Sequence, residues 1–210
     1  MASHRAIAAV SQAVISLLES QYVPEEFDNH QLEFRVYVAK DFLNPMKAGV
    51  SLYLYRIYAN GVHRTPAGRI GPNGRRQRTQ LPVDLHFLLT AWADDATLQH
   101  AIAGWMMRVL EDTPSLPPGL LNRKLPNGIL AARPDIFHPD ESVEVGLTEL
   151  TTEELFRIWE VTVTRGYQIS VPYVARNVKI ESDQTFNEGA PVQERGFDAR
   201  QLDSIGVRRS

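Results

Sequence analysis

The chain has 210 residues, 43% of them hydrophobic, with a net charge of -3 and a pI near 6.1. That length supports one sizeable core, and one domain with a tail is the simplest division. With no cysteine, disulfides, thiol catalysis and thiolate metal sites are excluded, and the composition suits a reducing cytoplasm. Residues 1–21 lack a long apolar core and carry Arg5, Gln12 and Glu19, so no export signal is predicted. Apolar runs elsewhere fall far short of a membrane span.

In chain order, Ile7, Val10, Val14, Leu17 and Leu18 recur at helical steps and predict an amphipathic helix from Ser3 to Ser20. Leu32, Phe34, Val36 and Val38 alternate as a strand. Val50 to Tyr58 is a second strand, apolar or aromatic on both faces, which marks it as central or covered. A third, the most regular, runs over 81–90. Leu81, Val83, Leu85, Phe87 and Leu89 form its buried face, while Asp84, His86, Leu88 and Thr90 occupy the other. That second face fits either a catalytic surface or a subunit contact. Asp94 or Asp95 caps a second helix, striped by Leu98, Ile102, Trp105, Met106, Val109 and Leu110.

From Thr113 to Asp140, repeated Pro and Gly break every regular pattern and predict a long irregular excursion. Val143, Val145 and Leu147 then make a short strand. Thr151-Thr152-Glu153-Glu154 fits a capping box opening a third helix, with Leu155, Ile158, Trp159 and Thr162 inward and Gly166 closing it. The last strand runs from Tyr167 to Ile180, and its Pro172, lacking an amide donor, predicts an edge position or a bulge. The expected fold is α+β, a twisted mixed sheet with packed helices over residues 1–182. Residues 183–210, with Gly189, Pro191, Gly196 and Gly206 and few large apolar groups, are expected to be a flexible tail.

The strand at 81–92, with Ser51-Leu52-Tyr53-Leu54-Tyr55-Arg56, Leu150-Thr151-Thr152-Glu153-Glu154-Leu155 and Tyr167-Gln168-Ile169-Ser170-Val171-Pro172-Tyr173, carries a resemblance. In that order the segments resemble the N-terminal-domain family of tail-terminator, or cap, proteins of extracellular, phage-tail-like contractile injection systems. The resemblance spans residues 5 to 182. It implies assembly rather than catalysis: a homo-hexameric ring closing on the inner tube and the last sheath layer and ending their growth. It also implies assembly in the cytoplasm, with release as part of an extracellular particle, and no cofactor.

Charge is unevenly placed. Between Asn60 and Gln80 lie Arg64, Arg69, Arg75, Arg76 and Arg78 with no acid, so this segment carries +5 and the rest of the chain -8. Residues 135–160 hold Asp135, Asp140, Glu141, Glu144, Glu149, Glu153, Glu154 and Glu160 against Arg157. The arginines are the candidate interface, and Glu141, Glu144, Glu149 and Glu153 the candidate acidic counter-patch. A basic and an acidic patch on one chain satisfy each other head to tail, and such contacts close into rings. Guanidinium suits this role through bidentate bonds to carboxylates. The alternative is a solvated loop.

A nucleic-acid-binding or other adaptor module is the competing function for the arginine-rich loop 60–80, whose glycines and arginines suit phosphates. The loop has no aromatic residue to stack bases, and the chain as a whole is acidic. Its Gly spacing is neither a Walker loop nor a dinucleotide fingerprint. Catalytic signatures are missing too: there is no Gly-x-Ser-x-Gly elbow and no His-Glu-x-x-His helix. His138 near Asp135, Asp140 and Glu141 lacks a second His at ligand spacing, so no metal site is expected.

Overall fold

The protein is described here by a computed structural model covering residues 4–62, 69–70, 76–123, 136–162 and 166–182. Helix α1 spans Ala6–Gln21, with strands β1 (Glu33–Tyr37) and β2 (Gly49–Ala59) following it. Next come the short strands β3 (Arg69–Ile70) and β4 (Arg76–Gln77), then β5 (Leu81–Trp92) and α2 (Ala96–Asp112). The chain continues through β6 (Ser115–Leu116), α3 (Pro118–Leu121), β7 (Val143–Leu147), α4 (Thr152–Thr162) and β8 (Ser170–Ile180).

Six strands form one mixed sheet in the order β1-β2-β5-β8-β7-β6, parallel at β1–β2 and antiparallel elsewhere. The α+β expectation therefore holds. On one face, Val50, Leu52, Val83, Leu85, Phe87, Leu89, Tyr173 and Ala175 pack with Val10, Val14 and Leu18 of α1 and Ile102, Met106 and Leu110 of α2. This is the main core. Asp95 caps α2, its carboxylate accepting from the Leu98 amide at 2.8 Å.

The opposite face holds a second, aromatic core of Tyr37, Phe42, Met46, Trp92 and Trp159. Phe42 and Met46 come from the β1–β2 crossover, which turns through a 3-10 helix at Ala39–Leu43, and Trp159 comes from α4. Two of its polar groups are bonded within it: Trp92 Nε1 donates to Ser51 Oγ at 2.8 Å, and the Met46 amide donates to the Tyr37 hydroxyl at 2.7 Å. Burial pushes the Tyr37 hydroxyl above its ordinary pKa. The predicted capping box is present, with the Glu154 amide donating to Thr151 Oγ1 at 3.2 Å and the Thr151 amide donating to Glu154 Oε2 at 3.0 Å.

Two bulges rephase the central strands. Across β2 and β5, Leu54 pairs with Phe87 and Arg56 with His86, so Tyr55 is the extra residue. In an unbulged ladder Tyr55 would pair with His86 and Arg56 would fall opposite Leu85 on the core side. Across β5 and β8, Val83 pairs with Val178 and Leu85 with Ala175, leaving Arg176 and Asn177 opposite Asp84 alone. Asn177 takes φ 54°, a left-handed conformation that Asn tolerates better than most side chains. The shift puts Val178, rather than Asn177, into the core.

Several expectations are corrected. Strand β8 is interior rather than at an edge, and the bulge lies at Asn177, not Pro172. Pro172 sits where β7 runs out: β7 ends opposite Tyr173, and the Thr148 amide donates to the Pro172 carbonyl at 3.1 Å. The missing amide is thus on a side where little ladder remains. The excursion after Thr113 is less irregular than predicted, because β6 and α3 bury Leu116 and Leu121 in the main core. Val36, Val38, Leu81 and Leu147 are exposed despite their alternation, being on edge strands or at strand ends. The last strand starts at Ser170, not Tyr167. The Thr162 side chain and the tail from residue 183 lie outside the described residues.

Candidate functional site

The arginine-bearing segment leaves the sheet at Ala59 and returns at Leu81. Arg69 and Arg76 lie in the β3–β4 ladder, where Ile70 pairs with Arg76 and Arg69 with Gln77. Arg78 is exposed, and Arg64 and Arg75 lie outside the described residues. At the root of the segment a carboxylate ties the end of β2 to β5 and β8. Asp84 Oδ1 accepts from the Asn177 amide at 2.8 Å, and both Asp84 oxygens accept from Asn60 Nδ2 at 3.2 Å. The Asn60 amide in turn donates to the Pro82 carbonyl at 2.8 Å. Asp84, a candidate for chemistry by sequence, is thereby committed to fixing the bulge.

His86, on the same strand face, has a different setting. It lies edge-on to Tyr55 and Tyr58, with ring centroids 6.2 and 5.5 Å away. The Arg56 guanidinium covers the Tyr58 ring at 3.7 Å. Burial, and after it the Arg56 charge, hold the His86 pKa below its ordinary value, so the ring is neutral near pH 7. No nucleophile is bonded to it in the described residues. What stands here is a packed patch of Tyr55, Arg56, Tyr58 and His86.

The four predicted counter-patch carboxylates do not form one cluster. Glu141 and Glu144 line a groove of about 960 Å³, which also takes in Asn60, Gln80, Arg176 and Lys179 at the root of the arginine segment. Glu141 Oε2 accepts from the His138 amide at 2.7 Å, while Glu144 stands opposite Arg176 in the β7–β8 ladder. The His138 ring bonds Asp140 and holds that carboxyl below its usual range. Asp135 lies outside the described residues. Glu149 and Glu153 are elsewhere, before and on α4, and Glu153 is ion-paired with Arg157 at 2.6 Å. Among the described residues no group of three His, Cys, Asp or Glu is placed to hold a metal. No described helix is long and apolar enough to cross a membrane.

Sequence reasoning missed an exposed aromatic pair. Phe156 on α4 and Tyr167 beyond it are 46% and 44% exposed, with rings T-shaped at 5.4 Å. The signal was present: Glu153, Phe156 and Glu160 fall outside the inward stripe of Leu155, Ile158 and Trp159, with Phe156 at its border, so spacing left an aromatic residue open to solvent.

The architecture is a mixed sheet with helices on both faces, and the surfaces described above are charged and aromatic. The chain belongs to the family described as the Pvc16 N-terminal domain, whose pattern it matches over residues 9–194. Among solved structures it is similar to the sheath/tube terminator of the extracellular contractile injection system PVC in its extended state. There the TM-score is 0.59 at 17% identity, over 95% of this chain and 65% of that one. It is also similar to the tube-terminating cap of the anti-feeding prophage, with TM-score 0.55 at 18% identity, over 90% of this chain and 59% of that one. At such identities the likeness establishes the fold, and the chain spans less than two thirds of either protein's length. Among curated proteins no relative is found.

Proposed function

We propose that this chain is a structural terminator of a contractile injection particle. It closes as a homo-hexameric ring on the distal end of the inner tube and the last sheath layer and stops both from growing. The ring assembles in the cytoplasm and leaves as part of an extracellular particle. The observation that carries this reading is the fold likeness over 95% of the chain to a sheath/tube terminator, together with membership of the Pvc16 N-terminal domain family.

Termination here is geometric. A ring whose lower face resembles a tube ring accepts the tube, and an upper face that offers nothing equivalent leaves the next subunit no site. The arginines at 64, 69, 75, 76 and 78 meet carboxylates on the neighbouring subunit or on the tube and sheath proteins, and the segment after Ser182 extends onto the sheath. Light scattering and negative-stain imaging, with and without tube protein, test the ring. About six subunits per particle is the expected result, and a single copy under both conditions contradicts it. Changing Arg75, Arg76 and Arg78 together to Glu abolishes attachment if these side chains carry the contact. Full attachment by that variant refutes their role.

A further inference from the structure

The geometry points to the outer face of α4 and Tyr167 as the socket for the arginine-bearing segment of a second copy of this chain, with Phe156 as its stacking platform. This rests on the ring reading and names the acidic side of the contact between subunits.

Helix α4 has two sides. Leu155, Ile158 and Trp159 turn toward the sheet, whereas Glu153, Phe156, Arg157 and Glu160, three or four apart, turn away. The Phe156 ring meets Tyr167, and Tyr167 meets the buried Trp159 at 5.7 Å. Two half-exposed rings braced on a buried third lose little freedom when covered, which favours them as interface anchors. Exposed carboxylates of Glu149, Glu153, Glu154 and Glu160 lie before and along the same helix; among the described residues the nearby cations are Arg157, bonded to Glu153, and Arg56, whose charge acts on Glu154, while Arg165 lies outside the described residues. Aromatic faces beside carboxylates select guanidinium over other groups, since each attracts its charge and the flat fork stacks.

The same chain supplies five arginines without an acid between Asn60 and Gln80. That segment joins the Leu81 end of β5, while α4 packs through Trp159 on Trp92 at the other end. The two ends lie about 35 Å apart along an extended strand. Unlike charges on separate parts of a subunit make a head-to-tail contact, the kind that closes a ring. Glu141 and Glu144, beside the root of the arginine segment in their own copy, are not part of this socket.

The test titrates a fluorescently labelled peptide of residues 60–80 onto the full chain and follows anisotropy. Wild type binds, and Phe156→Ala weakens binding about tenfold, with Glu160→Lys acting in the same direction and an unchanged melting midpoint showing that both variants fold. A peptide that wild type ignores, or that wild type and Phe156→Ala bind equally, overturns the socket. Light scattering of the same proteins separates the two ideas. Rings that persist in Phe156→Ala overturn the socket and leave the ring reading intact, whereas a wild type that never forms rings, even with tube protein, removes the ring and the second-copy occupant together.

Discussion

Removing the Asp84 carboxylate should destabilise the protein through one strand junction. In the structure Asp84 Oδ1 accepts from the Asn177 amide at 2.8 Å, and the carboxylate also takes the Asn60 side-chain amide at 3.2 Å. Asp84→Ala leaves the backbone donor of a left-handed bulge residue without its acceptor. Bonds to charged groups are worth about 1.5–3 kcal/mol each, so a loss of about 2–3 kcal/mol is expected. For a chain of this length that lowers the melting midpoint by roughly 5–10 °C. Asp84→Asn keeps an oxygen for the Asn177 amide but sets an amide group against Asn60, and should lose only about 1 kcal/mol. Urea unfolding of the three proteins, read with thermal melts, gives both numbers. An Ala variant within about 0.5 kcal/mol of wild type would refute the claim that this carboxylate fixes the bulge.

Three further outcomes are expected. Gly49 has φ 141°, and a Cβ there would lie 2.6 Å from the Glu33 amide nitrogen and closer still to the Glu33 carbonyl oxygen, so Gly49→Ala should pry β1 from β2 and cost at least about 2 kcal/mol in urea unfolding; wild-type stability would contradict this. Trp159 is 4% exposed and meets Phe42, Trp92 and Tyr167. Trp159→Ala should lose about 3–5 kcal/mol and hydrogen-exchange protection in α4, and a loss below about 1 kcal/mol would show that α4 is held by other contacts. His86 is lowered from 6.5 by burial first and by Arg56 next, so the unfolded chain takes up this proton first as pH falls. Its stability contribution is complete above 6.5 and is lost as pH drops from there through the lower folded-state value. His86→Gln should therefore flatten the decline of the urea midpoint between about pH 7.5 and about pH 5, and an unchanged slope would refute the assignment.

The sequence showed more of the fold than of the surfaces. The period of β5 identified Val83, Leu85, Phe87 and Leu89 as its buried row, and the Thr151–Glu154 box placed the start of α4, because both signals are local. The bulge in β2 was not predicted and the one in β8 was placed at Pro172, although the phase break from Tyr173 and Ala175 to Val178 is visible in the sequence once Asn177 is allowed a left-handed turn. Pro172 misled because its effect depends on where β7 ends, which no local pattern records. The counter-patch was a charge count along the chain. Folding divided it, placing Glu141 and Glu144 along one groove and Glu149 and Glu153 before and on α4. Phe156 went unnoticed because sequence reading followed the inward stripe of α4 and passed over the outward one.

The length distribution of assembled tubes most directly tests whether this protein ends polymerisation. Purified tube protein is assembled with increasing amounts of the chain, and tube lengths and end densities are read by negative-stain electron microscopy. The account predicts shorter tubes as the chain is added, each with a ring of extra density at one end. Tubes of unchanged length with bare ends at every ratio would contradict it.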